Sequence, residues 1–96
     1  MDYEPGMFET KGYEGRVPAL ILENLIAWGK KRHRVGDFLT AVLSNNLFEA
    51  YKRADEESVA AMRDIIKFIY NRLPSGCWGS PQAVHDWIAS EDFGRV

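Results

Sequence analysis

The segment from residue 55 to residue 73 narrows the choice of fold more than any other part of this sequence. Asp55 is a favoured N-cap residue, and Glu56 and Glu57 follow it in the first turn, where carboxylates interact favourably with the positive end of a helix. Apolar residues then recur at steps of three and four positions, at Val59, Met62, Ile66, Ile69 and Leu73. This pattern predicts a central helix over residues 56–72 with one apolar face in a helical core.

The first two helices are predicted in the first half of the chain. Pro18 suits the first turn of a helix because its missing N–H has no intrahelical partner there, and apolar residues continue at helical spacing over residues 18–31. Gly36 interrupts that pattern. Asp37 then suits the N-cap of a short second helix. The first half of the chain is therefore predicted to be helical as well.

Capping residues also mark a third and a fifth helix. The pair Asn45-Asn46 tolerates left-handed backbone and caps a helix, and Ser80-Pro81 places an N-cap serine before a proline at the first helical position. The residues predicted to face inward from these two helices are Leu47, Ala50, Tyr51, Ala54, Val84, Trp87 and Ile88.

The sequence as a whole predicts an all-α fold. Strict alternation of apolar and polar residues, the mark of a half-buried strand, is missing from the chain. Residues 1–16 are rich in glycine and lack a helical period, so we expect an irregular or partly disordered arm that packs on the domain or on a partner. Residues 17–90 form the expected helical domain, a small single-domain bundle of four to five helices, and residues 91–96 the expected frayed tail.

Composition sets the expected surroundings. With 96 residues, 46% of them hydrophobic and 27% charged, the chain is long enough for one folded domain and too polar for a membrane protein. The first residues are acidic and polar, unlike a signal peptide, and a single cysteine excludes an internal disulfide. We therefore expect a cytoplasmic protein.

The sequence contains no convincing catalytic or metal-binding set. Cys77, His33 and His85 are the only soft metal ligands, and their spacing fits no zinc site. Cys77 and His85 have the groups for nucleophilic catalysis, but a free cysteine beside a tryptophan is more typical of a packed turn. We expect no enzymatic activity, no metal and no cofactor.

A basic cluster follows the first helix, formed by Lys30, Lys31, Arg32 and Arg34. Cations at a helix C-terminus are favoured by the macrodipole, so a solvated helix end is the simplest interpretation. The alternative is a site for a small anionic nucleotide, with Trp28 as a stacking partner and backbone N–H groups at the start of the second helix.

Nucleic acid is a disfavoured partner. A helix-turn-helix interpretation of the middle of the chain places three carboxylates, at residues 55–57, where the recognition helix approaches phosphates. The net charge of −2 also lacks the positive field of a DNA-coating protein. The basic cluster is thus the one part of the sequence predicted to bind nucleic acid, if any is bound.

Aromatic residues and arginine dominate interface hot spots, and the chain has several outside the clear helical faces. We expect Tyr3, Phe8 and Tyr13 of the arm and Trp28 of the first helix to contact a partner. Arg53 is expected either to anchor a helix junction or to donate hydrogen bonds to a ligand.

Two stretches carry a family resemblance, GDFLTAVLSNNLFEAYKRAD at residues 36–55 and YNRLPSGCWGSP at residues 70–81. They resemble a family of short proteins carried by bacteriophages and prophages, and the similarity spans about residues 17–88. The family has two glycines where this chain has Gly36-Asp37, and Asn-Asp where it has Asn45-Asn46. The resemblance implies a setting in the cytoplasm of a bacterial host, and it brings no reaction and no catalytic residues.

These observations lead to three functional hypotheses. The first is a small, non-enzymatic phage protein that binds a host protein, as phage proteins do to counter host defence, with homo-oligomers an open alternative. The second is a homo-oligomer that sequesters a nucleotide signal through Arg32, Arg34 and Arg53. The third is a nucleic-acid-binding accessory protein.

Overall fold

α-Helices make up nearly all of the regular structure. The computed structural model describes residues 6–93, with their side chains as far as residue 89. The elements in this range are α1 (Ala19–Lys31), α2 (Asp37–Leu43), α3 (Leu47–Arg53), α4 (Glu56–Ala60), α5 (Met62–Arg72), a 3₁₀ turn (Ser75–Cys77) and α6 (Pro81–Phe93). Within residues 6–93 there is no β-strand, so the predicted all-α fold is confirmed. α6 continues three residues into the segment that was expected to fray.

Side-chain caps start three of the helices as the sequence predicts. Asn46 Oδ1 accepts a hydrogen bond from the backbone N–H of Glu49 at 3.3 Å and starts α3. Asp55 Oδ1 accepts from the N–H of Ser58 at 2.7 Å, and this bond holds the pKa of Asp55 below its ordinary value. Ser80 Oγ accepts from the N–H at residue 83 at 3.1 Å. Each bond satisfies a donor that has no intrahelical acceptor.

The predicted cap at Asp37 is wrong. Gly36 occupies the N-cap position of α2 with extended backbone and makes no side-chain cap. Asp37 is the first residue of the helix, and its carboxylate accepts from Arg53 Nη1 of α3 at 3.2 Å. Because Arg53 also donates to Glu49, it joins α2 to α3, as the helix-junction interpretation of Arg53 anticipates.

The predicted central helix is interrupted at Ala61. The backbone of Ala61 (φ −95°, ψ 2°) leaves the helical region and separates α4 from α5. Hydrogen bonds still cross the break, from the N–H of Ala61 to Glu57 O at 3.1 Å and from the N–H of Ile65 to Ala61 O at 2.8 Å. The sequence has neither glycine nor proline here, the residues that usually signal such an interruption.

The buried face of this segment is also rotated from the predicted one. Met62, Ile69 and Leu73 are buried as predicted, whereas Val59 and Ile66 are exposed. The completely buried positions of α5 are Ile65 and Phe68, which the predicted face omitted. α5 has more apolar residues than one face can hold, and the core takes the side with its largest one, Phe68.

The core lies where α1, α5 and α6 meet the 3₁₀ turn. Trp28 of α1 lies in this core and is 1% exposed, and its Nε1 donates to Cys77 O at 3.0 Å. Trp87 of α6 in turn donates its Nε1 to Trp28 O at 2.9 Å. The buried residues around Trp28 include Phe8, Val17, Leu22, Leu25, Leu39, Leu43, Ala61, Ile65, Phe68, Ile69, Leu73, Cys77 and Val84.

The described part of the arm packs on this core without helical structure. The backbone N–H of Phe8 donates to Arg72 O at 2.8 Å, and the Phe8 ring lies against Gly29 of α1. Tyr13 contacts the edge of Phe68 with ring centroids 5.2 Å apart. Of the two expected placements of the arm, packing on the domain is the one that residues 6–16 adopt.

Candidate functional site

α3 exposes most of its apolar side chains. This short helix buries Ala50 against the rest of the protein, while Leu47 and Tyr51, both predicted to face inward, are exposed. Phe48 is 94% exposed, the highest value among the large apolar residues whose side chains the structure describes. Helix geometry places Leu47, Phe48 and Tyr51 within an arc of about 100° and Ala50 about 60° beyond Leu47, and the side of α3 that carries Ala50 is the one that is buried.

α5 exposes a second apolar strip facing the same region. Ile66 and Tyr70 are four residues apart, so they lie side by side along the helix. Ile66 is 40% exposed, and the Tyr70 ring packs against Trp78 with centroids 5.6 Å apart. Ile66 and Tyr70 remain exposed because Ile65 and Phe68 of the same helix fill the core.

A groove of about 290 Å³ lies between the two strips, and we call it the α3–α5 groove. Its bottom is formed by the buried residues Ala50, Met62 and Ile69. The other residues that line it are Val42, Asn45, Asn46, Leu47, Ile66, Tyr70, Trp78 and Gly79. Exposed apolar patches of this kind, with a concave apolar centre, mark binding sites on soluble proteins.

Trp78 contributes an unusual polar atom to the groove wall. Its Nε1 is buried and has no hydrogen-bond acceptor within the part of the chain that the structure describes. Trp28 and Trp87, by contrast, both donate to backbone carbonyls. Burying an indole N–H without an acceptor costs about 1–3 kcal/mol, so the packing of the ring at the groove edge has to outweigh that cost.

The charges beside the groove are mainly positive. Lys52 on α3 and Arg63 and Lys67 on α5 are all exposed. The carboxylate of Glu49 is held by Arg53, which donates from Nε at 2.7 Å. This hydrogen bond lowers the pKa of Glu49 from its ordinary value and raises that of Arg53.

A larger concavity of about 680 Å³ lies between the arm, α1 and α4. The buried residues Val17, Leu22 and Ala61 form its floor, and the carboxylates of Glu14 and Glu23 lie at its sides. None of the large exposed apolar residues borders it. We therefore regard the smaller α3–α5 groove as the candidate site.

Two members of the predicted anion site contact aromatic rings of the protein itself. Arg32 stacks on the Trp87 ring, 4.0 Å from its centroid, and Lys30 lies 5.3 Å from the centroid of the Phe8 ring. Lys31 and Arg34 are exposed. The stacking role predicted for Trp28 is wrong because its ring is buried and is not accessible to a base.

Most of the aromatic residues predicted to contact a partner pack inside the protein instead. Phe8 is buried, which contradicts its expected role in partner contact, and the same burial excludes Trp28. Tyr13 is half-buried against Phe68, and its hydroxyl accepts from Asn71 Nδ2 at 3.1 Å. Tyr3 lies outside the described residues.

The one cysteine is placed for packing. Cys77 is completely buried, and burial raises the pKa of its thiol to about 12, so the reactive thiolate is scarce at neutral pH. His85 is exposed on α6. Among residues with described side chains, no cluster of three His, Cys, Asp or Glu residues could hold a metal ion.

The sequence prediction missed the exposed apolar residues that line the groove, namely Leu47, Ile66 and Tyr70. One signal was present in the sequence, because α5 has two adjacent apolar strips and a small core leaves one of them exposed.

Comparison of the chain with protein-family models, with curated proteins and with solved structures gives no match. No helix in the described range combines the length and the apolar content needed to cross a membrane.

Proposed function

We propose that this chain is a binding protein without catalytic activity, and that it holds a partner protein through the α3–α5 groove. The observation that carries the proposal is an apolar groove lined by the exposed apolar side chains of Leu47, Ile66 and Tyr70, with Phe48 exposed on α3 next to Leu47. Aromatic side chains surrounding a concave apolar centre are typical of interface hot spots, because their burial removes a large apolar area from water.

The aliphatic bottom of the groove favours a protein over a nucleotide or a nucleic acid. Ala50, Met62 and Ile69 present no hydrogen-bonding side-chain groups with which to recognise a base or a phosphate. Apolar side chains of another protein fit such a surface. The resemblance to phage proteins makes a protein of the bacterial host, such as a component of a defence system, the partner that we propose.

Site-specific photo-crosslinking in bacterial cells tests the proposal. A photoreactive amino acid is placed at Phe48, and the matched control carries it at Leu20, an apolar residue on α1 that is 67% exposed and lines none of the concavities described above. We expect one protein to be crosslinked from position 48 and not from position 20.

The crosslinked protein is then purified and its binding is measured directly. We expect Leu47→Ala and Ile66→Ala, which truncate side chains that line the groove, to weaken binding, and Leu20→Ala to leave it unchanged. Equal crosslinking from both positions, or binding that all three substitutions leave intact, would contradict the groove as the binding site.

A further inference from the structure

Positive charge runs along the outer side of α5 next to the groove. Arg63 and Lys67 precede Ile66 and Tyr70 by three residues each, and residues three apart are neighbours on a helix surface. Neither cation forms an ion pair with any residue that the structure describes. Asp64, a carboxylate on the same helix, lies roughly 160° around the axis from Ile66 and so faces away from the groove.

α3 also exposes a cation, but away from the groove lining. Lys52 follows Phe48 by four residues and is its neighbour on the exposed surface, whereas Leu47 and Ala50 are the residues of α3 that line the groove. The carboxylate of Glu49 is directed to Arg53, which also binds Asp37 of α2. The α5 side of the groove is therefore the one on which cations lie directly beside the apolar lining.

The dimensions of the groove suit a helix. Its lining residues on α5 extend from Met62 to Tyr70, a rise of about 12 Å, which matches about two turns of a docked helix. Within residues 6–93 there is no sheet edge to which a partner strand could be added. A third helix that packs against α3 and α5 would present apolar residues at positions i, i+4 and i+7.

We propose that the α3–α5 groove binds an amphipathic helix of the partner protein, with apolar residues that enter the groove and Asp or Glu residues that flank them. This inference rests on the proposed function and specifies the chemistry of the partner. A second copy of the chain fits less well, because a two-fold interface sets the same patch against itself and brings Arg63 and Lys67 toward their own copies.

A set of three synthetic helical peptides tests the inference with the full chain. The peptides share the same apolar residues at i, i+4 and i+7, and their flanking positions are all Glu, all Gln or all Lys. Fluorescence anisotropy gives the affinities, and ¹H–¹⁵N NMR maps the shifted residues. We expect the Glu peptide to bind about tenfold more tightly than the Lys peptide, since two exposed ion pairs each add about threefold, and we expect salt to reduce this difference.

Charge reversal supplies the matched comparison. Arg63→Glu combined with Lys67→Glu should abolish the preference for the Glu peptide. Lys11→Glu combined with Lys31→Glu changes the net charge equally at exposed positions away from the groove, and this pair should retain the preference.

Four results would overturn the inference. They are equal or tighter binding of the Lys peptide, loss of the preference in both charge-reversed variants, a single-stranded oligonucleotide that competes for the same residues, and a dimer in sedimentation that protects the groove. If no peptide binds while the partner crosslinked from position 48 does, the acidic helix is excluded and the proposed function stands.

Discussion

Trp28 donates its indole N–H to the backbone carbonyl of Cys77, a residue 49 positions away in sequence, at 3.0 Å. The carbonyl of Trp28 accepts in turn from the indole of Trp87 at 2.9 Å. These two bonds join α1 to the 3₁₀ turn and to α6, and they satisfy polar atoms that are enclosed by apolar side chains. The turn between α5 and α6 is therefore held by specific hydrogen bonds as well as by apolar packing.

Replacing Trp28 and Trp78 in turn should give unequal losses of stability. Trp28→Phe leaves the Cys77 carbonyl without its donor, and we expect a loss of about 1–3 kcal/mol from that bond in addition to lost packing. Trp78→Phe removes a buried N–H that has no acceptor in the described structure, so less stability should be lost. Urea unfolding measures both, and an equal or larger loss for Trp78→Phe would contradict the assignment.

The Cys77 thiol should make stability depend on alkaline pH. Its pKa is about 12 in the folded protein against an ordinary value of 9.0, so the unfolded chain loses this proton first as pH rises. The contribution of the protonated thiol to the free energy of unfolding is complete below about pH 9 and declines as pH rises toward 12. Because lysine and tyrosine residues titrate in the same range, the comparison is with Cys77→Ala, whose deficit in unfolding free energy relative to the natural chain should shrink from about pH 8 to about pH 10. A deficit that stays constant would contradict the raised pKa.

Adjacent isoleucines on α5 should respond very differently to truncation. Ile65 is 0% exposed, and Ile65→Ala should cost about 2–5 kcal/mol because it leaves a cavity in the core. Ile66→Ala removes a side chain that is 40% exposed in the groove, and it should cost less than about 1 kcal/mol. Chemical denaturation measures both losses of stability. A larger loss for Ile66→Ala than for Ile65→Ala would support the buried face predicted from the sequence instead.

The contact between Gly29 and the arm should not tolerate a methyl group. A Cβ at Gly29 would lie 2.5 Å from Phe8 Cε1 and 3.2 Å from Leu73 Cδ2, so the Phe8 ring has to move. We expect Gly29→Ala to cost about 1–3 kcal/mol and to make the arm more susceptible to limited proteolysis. Gly76→Ala is the control, since the nearest atom to its Cβ would be Trp87 Cζ3 at an ordinary 3.7 Å. Equal protease resistance of the two variants would show that the arm does not depend on this contact.

Local signals in the sequence account for much of the fold. The caps at Asn46, Asp55 and Ser80 depend only on side chains acting on backbone a few residues away, so they could be identified without tertiary information. Asp37 has the same local signal, but its carboxylate binds Arg53 instead, a partner 16 residues away. Capping propensity was overridden there by a tertiary contact.

The site could be predicted much less well than the fold. Ile65 and Ile66 are adjacent and chemically identical, and only the positions of the neighbouring helices decide which one is buried. Likewise, sequence shows that Trp28 and Phe8 are aromatic but not that the core encloses them. The sequence therefore places the candidate contact residues in the arm and α1, whereas the exposed apolar surface lies mainly on α3 and α5.

The bonds that fasten the arm also set the order in which the chain can complete its fold during synthesis. Gly6 O accepts a hydrogen bond from Nη1 of Arg72, a residue 66 positions later, and the backbone N–H of Phe8 donates to the carbonyl of Arg72. On the ribosome, the docking surface for the arm does not exist until the end of α5 has been translated and has emerged. The earliest of these residues to be made are thus among the last to find their places, and the Phe8 ring stays accessible to chaperones throughout that interval.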